Sequence, residues 1–299
     1  MTSASLIGGI ELGGTKSIAV LAKGHTILSR ISLPTGDRPQ EVVPALVGWL
    51  GDQSEGQPLD AIGIASFGPV AVDPSAADFG SIRTTVKPGW SGAPVRQLFV
   101  EAFDCPVAID TDVNAAALAE QRWGAATGLG TIAYVTIGTG IGVGIVVDGH
   151  TVHGHLHPEA GHLQLRRFAG DDFAGACIFH GDCAEGLFSG PALASRFGEP
   201  AADVPPDDPR WSAAQHDFAQ LLYALVVTIS PQAILVGGGV GLGCPGLLEG
   251  ALRRLPALIG GYLPDLDEAR LRMIVRQAGL GADAGPLGAI AVGLRALER

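Results

Sequence analysis

Two cysteines and two histidines in this sequence have the spacing of zinc ligands. The segment "CIFHGDC" carries Cys177, His180 and Cys183, and His162 precedes it, which gives the pattern H-x14-C-x2-H-x2-C. Zinc prefers four nitrogen or sulfur ligands in a tetrahedron, and two-residue gaps let one tight loop present successive ligands. Because four protein ligands leave no position for a reactive water, the pattern indicates a structural Zn²⁺ site.

The preceding segment, "HGHLHPEAGH", offers further polar groups. His155 and His157 compete with His162 as metal ligands, and Glu159 stands three residues before His162. A metal that fixes His162 would also fix the loop that carries Glu159. A carboxylate and an imidazole facing one site suit a ligand with several hydroxyl groups, since both can hydrogen-bond to hydroxyls.

A third group of interest is Asp112, in the segment "IDTDVNAAALAE". This residue falls where a predicted buried strand ends and a helix begins, and ligands of α/β proteins bind beyond the carboxyl ends of strands. A carboxylate at this place could accept a hydroxyl proton during phosphoryl transfer. The alternative is that Asp112 only caps the helix N-terminus.

The elements that would position these residues include two similar segments. "GTKSIAVLAKGHTI", residues 14–27, and "GTGIGVGIVVDGHTV", residues 138–152, share a Gly-Thr start and a Gly-His-Thr end. Each is predicted to form a β-hairpin with a Gly-Thr tip, which indicates a duplication. Glycine-rich tips expose N–H groups to phosphates, so two matched tips predict phosphates held between two domains. The first tip is not a P-loop, because Thr15 intrudes before Lys16.

Between the hairpins, strand-like and helix-like segments alternate, which is typical of α/β proteins. The net charge of −11 and the absence of a basic cluster exclude nucleic acid and anionic membranes as partners. A phosphate-rich ligand would need backbone N–H groups and a divalent cation. Residues 123–147 are uncharged, but their glycines indicate strands and turns, not a membrane span. No secretory signal is apparent, and a cytoplasmic location is expected.

Taken together, the motifs resemble those of the ROK family of sugar kinases and repressors, most closely its bacterial zinc-containing fructokinase branch. The segments that carry the resemblance are "GGIELGGTK", "TDVNAAALAE", "GTGIGVG", "HPEAGH", "CIFHGDCAEGLFSGPA", "VGGGV" and "GLGADAGPLGA". "TTVKPGW" and "HGDC" are similar to features typical of the fructokinase branch.

The resemblance implies an actin-like, ribonuclease-H-like α/β fold, with two α/β domains flanking a cleft. The expected small domain spans residues 1–111 and is completed by a C-terminal helix at 287–299. The expected large domain spans residues 112–286 and carries the zinc-binding loop. A homodimer is also expected.

The resemblance further implies roles for individual residues. Asp112 would be the general base, and Glu11 would act on Mg²⁺ through water. The residues expected to bind the sugar are Asp112, Glu159, His162 and Glu185. The residues expected to bind the nucleotide are Gly13, Gly14, Thr15, Lys16, Gly138, Thr139, Gly140, Gly238, Gly239 and Gly285.

The activity that this resemblance implies is transfer of phosphate from ATP to a hexose, with fructose as substrate and fructose 6-phosphate as product. Within the class, a mannokinase or a broader hexokinase or glucokinase is the alternative. Thr111 and His180 stand where many glucokinases of the family have other residues, which disfavours glucose. Outside the class, the alternatives are a zinc hydrolase and a non-catalytic sugar sensor.

Overall fold

A computed structural model of the chain describes residues 5–298 and contains two five-stranded sheets. The strands are β1 Leu6–Leu12, β2 Lys16–Lys23, β3 Thr26–Pro34, β4 Ala61–Ser66, β5 Val107–Thr111, β6 Thr131–Ile137, β7 Ile141–Val147, β8 His150–Thr151, β9 Ala233–Gly237 and β10 Val275–Gln277. The first sheet has the order β3-β2-β1-β4-β5, and the second has the order β10-β9-β6-β7-β8.

The two sheets repeat one topology. In the first, β1 pairs antiparallel with β2 and parallel with β4. In the second, β6 pairs antiparallel with β7 and parallel with β9. When the strands of each sheet are numbered along the chain from one to five, both sheets have the spatial order 3-2-1-4-5. The shared order agrees with the predicted duplication, and a Gly-Thr tip joins the first two strands of each sheet.

Helices cover the sheets, so the central strands are apolar on both faces. Every residue of β4 is buried, as is usual for a parallel strand between helical layers. The helices are α1 Pro39–Gln53, α2 Val95–Ala102, α3 Asp112–Trp123, α4 Ala184–Phe188, α5 Gly190–Phe197, α6 Trp211–Ile229, α7 Gly238–Gly243, α8 Pro245–Ile259, α9 Glu268–Ile274 and α10 Ala284–Ala296. No helix within residues 5–298 is both long and apolar enough to cross a membrane.

The contacts within the chain define two compact units. The first unit runs to Thr127 and also contains His150–Pro158 and the chain from Ala282, while the second contains Gly128–Gly149 and Glu159–Gly281. In this division α3 belongs to the first unit, beyond the expected boundary at 111, because it packs on α10. A Cβ atom added to Gly288 of α10 would lie 2.6 Å from the backbone of Ala115 in α3. Residue 299, at the end of the expected C-terminal helix, lies outside the described residues.

Candidate active site

Asp112 lies at the point in the first unit where β5 ends and α3 begins. It is the first residue of α3, and the helix cap is Thr111, whose side-chain oxygen accepts a hydrogen bond from the N–H of Asn114 at 3.2 Å. The Asp112 carboxylate accepts a local bond from the N–H of Val113 at 2.9 Å. No ion pair within residues 5–298 involves Asp112. The capping alternative is therefore wrong, and the carboxylate of Asp112 is available for other chemistry.

The electrostatic surroundings of Asp112 suit a general base. Burial raises its pKa to about 6, although the hydrogen bond from Val113 acts in the opposite direction. A carboxylate with such a pKa is mostly ionised at neutral pH and accepts a proton more readily than an ordinary aspartate.

Glu11, at the carboxyl end of β1, is a second perturbed carboxylate in this unit. Burial raises its pKa to about 7, and repulsion from Asp112 adds to the shift. A divalent cation beside Glu11 would stabilise its ionised form against burial and this repulsion. Mg²⁺ commonly binds through one or two carboxylates and substrate phosphates, so Glu11 suits that ion.

Asp110 is a functional candidate that the sequence reasoning missed. Its buried carboxylate accepts bonds from the Nδ2 of Asn114 at 2.8 Å and the Oγ1 of Thr151 at 2.8 Å, and lies 3.0 Å from the Nε2 of His153. Burial opposes its ionisation, but these partners outweigh burial and lower its pKa. Asp110 thus anchors the end of β5 two residues before Asp112. Its only sequence signal was a carboxylate inside an apolar strand.

The first Gly-Thr hairpin, predicted to bind phosphate, joins β1 to β2 through Gly13, Gly14 and Thr15. Thr35, just beyond β3, holds it by two hydrogen bonds. Its Oγ1 donates to the carbonyl oxygen of Gly13 at 2.7 Å, and its N–H donates to that of Thr15 at 3.0 Å. Gly14, Thr15 and Lys16 are exposed, so the tip is accessible to a ligand.

In the second unit, the matching hairpin contains Gly138, Thr139 and Gly140. Glu185 of α4 packs against it, since its Oε2 accepts a bond from the N–H of Ile141 at 3.1 Å. A Cβ atom at position 140 would lie 2.6 Å from the same oxygen, so a larger residue here would displace the Glu185 carboxylate. Glu185, expected to bind sugar, therefore lies directly beside the second Gly-Thr tip, which is expected to bind phosphate.

The remaining predicted nucleotide residues lie in two places. Gly238 and Gly239 begin α7, directly after β9. Gly238 has a φ of +82°, a backbone conformation that favours glycine. No atom lies within 4 Å of a Cβ atom built on Gly239, so there is room for a ligand beside it. Gly285, expected near adenosine, belongs to the first unit, where a Cβ atom would collide with the carboxylate of Glu11.

The four predicted zinc ligands come together in the second unit. Their ligand atoms all lie within 4.8 Å of one another. The Nδ1 of His162 lies 3.8 Å from the sulfur of Cys177 and 3.5 Å from that of Cys183, and the Nδ1 of His180 lies 3.7 Å from the sulfur of Cys177. Ordinary zinc–sulfur and zinc–nitrogen bonds in a tetrahedron place S and N about 3.6 Å apart, so the residues fit a zinc ion.

Backbone hydrogen bonds shape residues 177–183, the zinc hairpin, which carries three of the four predicted ligands. Cys177 and Gly181 exchange two bonds, with N···O distances of 3.1 and 2.8 Å, and the N–H of Ala184 donates to the carbonyl oxygen of Leu163 at 2.9 Å. Burial raises the pKa of the Cys183 thiol to about 11. Its thiolate form therefore needs a cation beside it.

The competing histidines lie outside the metal cluster. The Nε2 of His157 accepts a hydrogen bond from the N–H of Val70 at 3.1 Å, and burial lowers the pKa of His157. His155 is exposed. Glu159 directly precedes the short 3-10 helix Ala160–His162, whose last N–H donates to the carbonyl oxygen of Glu159 at 2.9 Å. The predicted metal ligand His162 and Glu159 thus belong to one turn.

The repeated sheet order and the Gly-Thr tips place this protein in the actin-like, ribonuclease-H-like class of α/β proteins, as predicted. The sequence model of the ROK family matches residues 7–295. The chain therefore belongs to the ROK family, and the predicted family is confirmed.

Two bacterial fructokinases are similar to almost the whole chain. The fructokinase of Pediococcus pentosaceus is 38% identical over 296 residues, covering 98% of this chain and 99% of that protein. The fructokinase of Zymomonas mobilis is 38% identical over 299 residues, covering 97% of each. Among solved structures, the ROK hexokinase from Thermus thermophilus has a TM-score of 0.77 and 31% identity, with 98% of this chain and 99% of that chain covered.

Proposed function

We propose that this chain is an ATP-dependent fructokinase, which transfers the γ-phosphoryl group of ATP to the 6-hydroxyl of D-fructose. The observation that carries the proposal is Asp112, a carboxylate that the helix cap does not use, at the carboxyl end of a strand and with a pKa of about 6. The full-length similarity to fructokinases supports the choice of sugar.

In the proposed reaction, Asp112 accepts the proton of the attacking 6-hydroxyl. A bond forms between that oxygen and the γ-phosphorus, the bond from the γ-phosphorus to the oxygen of the β-phosphate breaks, and ADP leaves. Phosphoryl transfer requires mainly positioning and stabilisation of negative charge. Asp112 positions the attacking hydroxyl. The N–H groups of the exposed hairpin tips stabilise the negative charge of the phosphates.

The cation expected with ATP is Mg²⁺, which would neutralise phosphate charge. We assign Glu11 to hold it through water, because the raised pKa of Glu11 shows a carboxylate that lacks a positive neighbour strong enough to balance its burial. Thr15 and Thr139, at the two hairpin tips, are assigned to the phosphates.

Three further residues are assigned to the sugar hydroxyls: Glu159, His162 and Glu185. We propose that Zn²⁺ on His162, Cys177, His180 and Cys183 holds the turn that carries Glu159. Because four protein ligands fill a tetrahedron, this metal has a structural role and does not activate water.

The proposal is tested by measuring ADP release with MgATP and each of five sugars: fructose, mannose, glucose, N-acetylmannosamine and N-acetylglucosamine. Fructose should give the highest kcat/KM. A higher kcat/KM with mannose or glucose would replace fructokinase by mannokinase or glucokinase. Failure of every sugar to stimulate ADP release would contradict a sugar kinase.

The family resemblance also leads us to propose a homodimer in the cytoplasm. Sedimentation equilibrium checks the first part, since a mass near that of one 30.5 kDa chain would contradict a dimer. Fractionation of cells that express the native gene checks the second, and recovery outside the cytoplasm would contradict it.

A further inference from the structure

Lys87, in the segment "TTVKPGW", contacts the first phosphate hairpin. Its Nζ donates a hydrogen bond to the carbonyl oxygen of Gly14 at 2.6 Å, across 73 positions of sequence. The same nitrogen lies 5.9 Å from the centre of the Phe67 ring, a distance at which an ammonium and an aromatic face attract each other. The positive charge of Lys87 is therefore located at the hairpin tip.

The turn that carries Lys87 is anchored by a buried tryptophan. Trp90 is fully buried, and its indole N–H donates to the carbonyl oxygen of Gly36 at 3.0 Å. Its ring packs edge-on against Phe67 with 5.1 Å between ring centres. The N–H of Trp90 also donates to the carbonyl oxygen of Lys87 at 3.3 Å. The position of Lys87 thus follows from packing and not from a chance surface contact.

Lys87 completes the hydrogen bonding of the carbonyl groups at the hairpin tip. Thr35 binds two of them, as described above, and the carbonyl oxygen of Lys16 accepts from the N–H of Gly13 at 3.1 Å. The fourth carbonyl, that of Gly14, is bound by Lys87. Gly14 is exposed, with no atom within 4 Å of a Cβ built on it, so packing alone does not hold its peptide group.

In contrast to these carbonyl oxygens, two N–H groups at the same tip are not hydrogen-bonded within the described part of the chain. Those of Gly14 and Thr15 have no hydrogen-bond acceptor within residues 5–298. A tip whose carbonyl oxygens are all bound and whose N–H groups are open is suited to an anion. If the peptide group of Gly14 flipped, its carbonyl oxygen would face the phosphate and repel it.

We propose that Lys87 is a positioning residue for the nucleotide phosphates. It holds the carbonyl of Gly14 so that the N–H groups of Gly14 and Thr15 stay available, and its two other N–H donors add positive charge for the β- and γ-phosphates. This inference rests on the proposed function, because it requires the first hairpin to bind ATP.

Lys87→Met tests the inference, because methionine keeps much of the apolar stem and removes the charge. We expect the Kd for MgADP to rise about tenfold or more, as for the loss of a charged hydrogen bond. The Kd for AMP, which lacks the β- and γ-phosphates, and the Kd for fructose should stay unchanged. Lys87→Arg should recover part of the MgADP affinity, and Lys23→Met, at an exposed lysine of β2, is the matched control.

Calorimetric titration of each variant with MgADP, AMP and fructose separates the outcomes. Unchanged MgADP affinity in Lys87→Met would overturn the inference and leave the proposed function intact. Equal losses for MgADP, AMP and fructose would also overturn it, since they would indicate a general structural role. If the unmodified protein itself bound no MgADP, the proposed function would fail and the inference with it.

Discussion

At the scale of single residues, Asp112 and its immediate neighbours determine what the candidate site can do. Thr111 caps α3, which leaves the Asp112 carboxylate at the first helical position with one local bond. Asp110 holds the end of the same strand through four hydrogen-bonded groups, so the backbone that carries Asp112 is well fixed.

Asp112→Asn should lower kcat by about 10²–10⁴-fold, the usual contribution of a positioned general base. Fructose binding should remain measurable, because the amide keeps the shape and one acceptor oxygen of the carboxylate. Steady-state kinetics and calorimetric binding separate the two effects. Asp52→Asn, at an exposed aspartate of α1, is the control and should behave like the unmodified protein. Normal turnover by Asp112→Asn would rule out the assignment of Asp112 as base.

The pH dependence of kcat/KM should report the raised pKa of Asp112. The ionised carboxylate is the active form, and burial moves its pKa from 3.8 to about 6. Activity is therefore lost on acidification through pH 6, well above the range of an exposed aspartate, at about tenfold per pH unit. Initial rates between pH 5 and 8 at saturating Mg²⁺ provide the check, and a profile that stays flat down to pH 5 would contradict the assignment.

At the scale of elements, the zinc hairpin, residues 177–183, and the turn before it in the chain, residues 159–162, form one structure. Two hydrogen bonds between Cys177 and Gly181 close the hairpin, and the bond from Ala184 to Leu163 joins its end to the residue that follows His162. His162, the ligand outside it, ends the 3-10 helix that follows Glu159. A metal bound to all four ligands would connect the hairpin to this turn.

Cys177→Ser should lower zinc content, thermal stability and fructose affinity together. Cys244→Ser is the matched control, since Cys244 is a buried free thiol outside the metal cluster. It should keep its zinc and its KM for fructose. Metal analysis, thermal unfolding and KM measurements make the comparison. Loss of zinc from Cys177→Ser with an unchanged KM would show that the metal does not order the sugar-binding turn.

Elements with a local sequence signal were predictable, whereas contacts between distant segments were not. The two hairpins and the cluster of two cysteines and two histidines follow from spacing and repetition in the sequence. The Thr111 cap was missed because Thr111 and Asp112 are both good capping residues, and only backbone geometry distinguishes them. The bond from Lys87 to Gly14 depends on how the chain packs across 73 positions. The packing of α3 on α10, which assigns α3 to the first unit, is equally non-local.

At the scale of the whole molecule, the duplicated sheets provide two Gly-Thr tips in a chain with a net charge of −11. An acidic chain repels phosphates at long range, so the local N–H groups, Lys87 and a cation must compensate. ADP should therefore bind more weakly when EDTA removes free Mg²⁺, and added Mg²⁺ should restore the affinity. Calorimetric titration with and without Mg²⁺ checks this. Equal affinities would contradict the proposed role of the cation.

The central claim is that the chain transfers phosphate from ATP to the 6-hydroxyl of fructose. Phosphorus NMR of a mixture of the purified protein, MgATP and fructose tests it most directly, because it identifies the phosphorylated product. We expect the signals of fructose 6-phosphate and ADP to grow in equal amounts, and neither to grow at a comparable rate with Asp112→Asn. ADP that forms together with inorganic phosphate, or a phosphate on another hydroxyl of fructose, would contradict the claim.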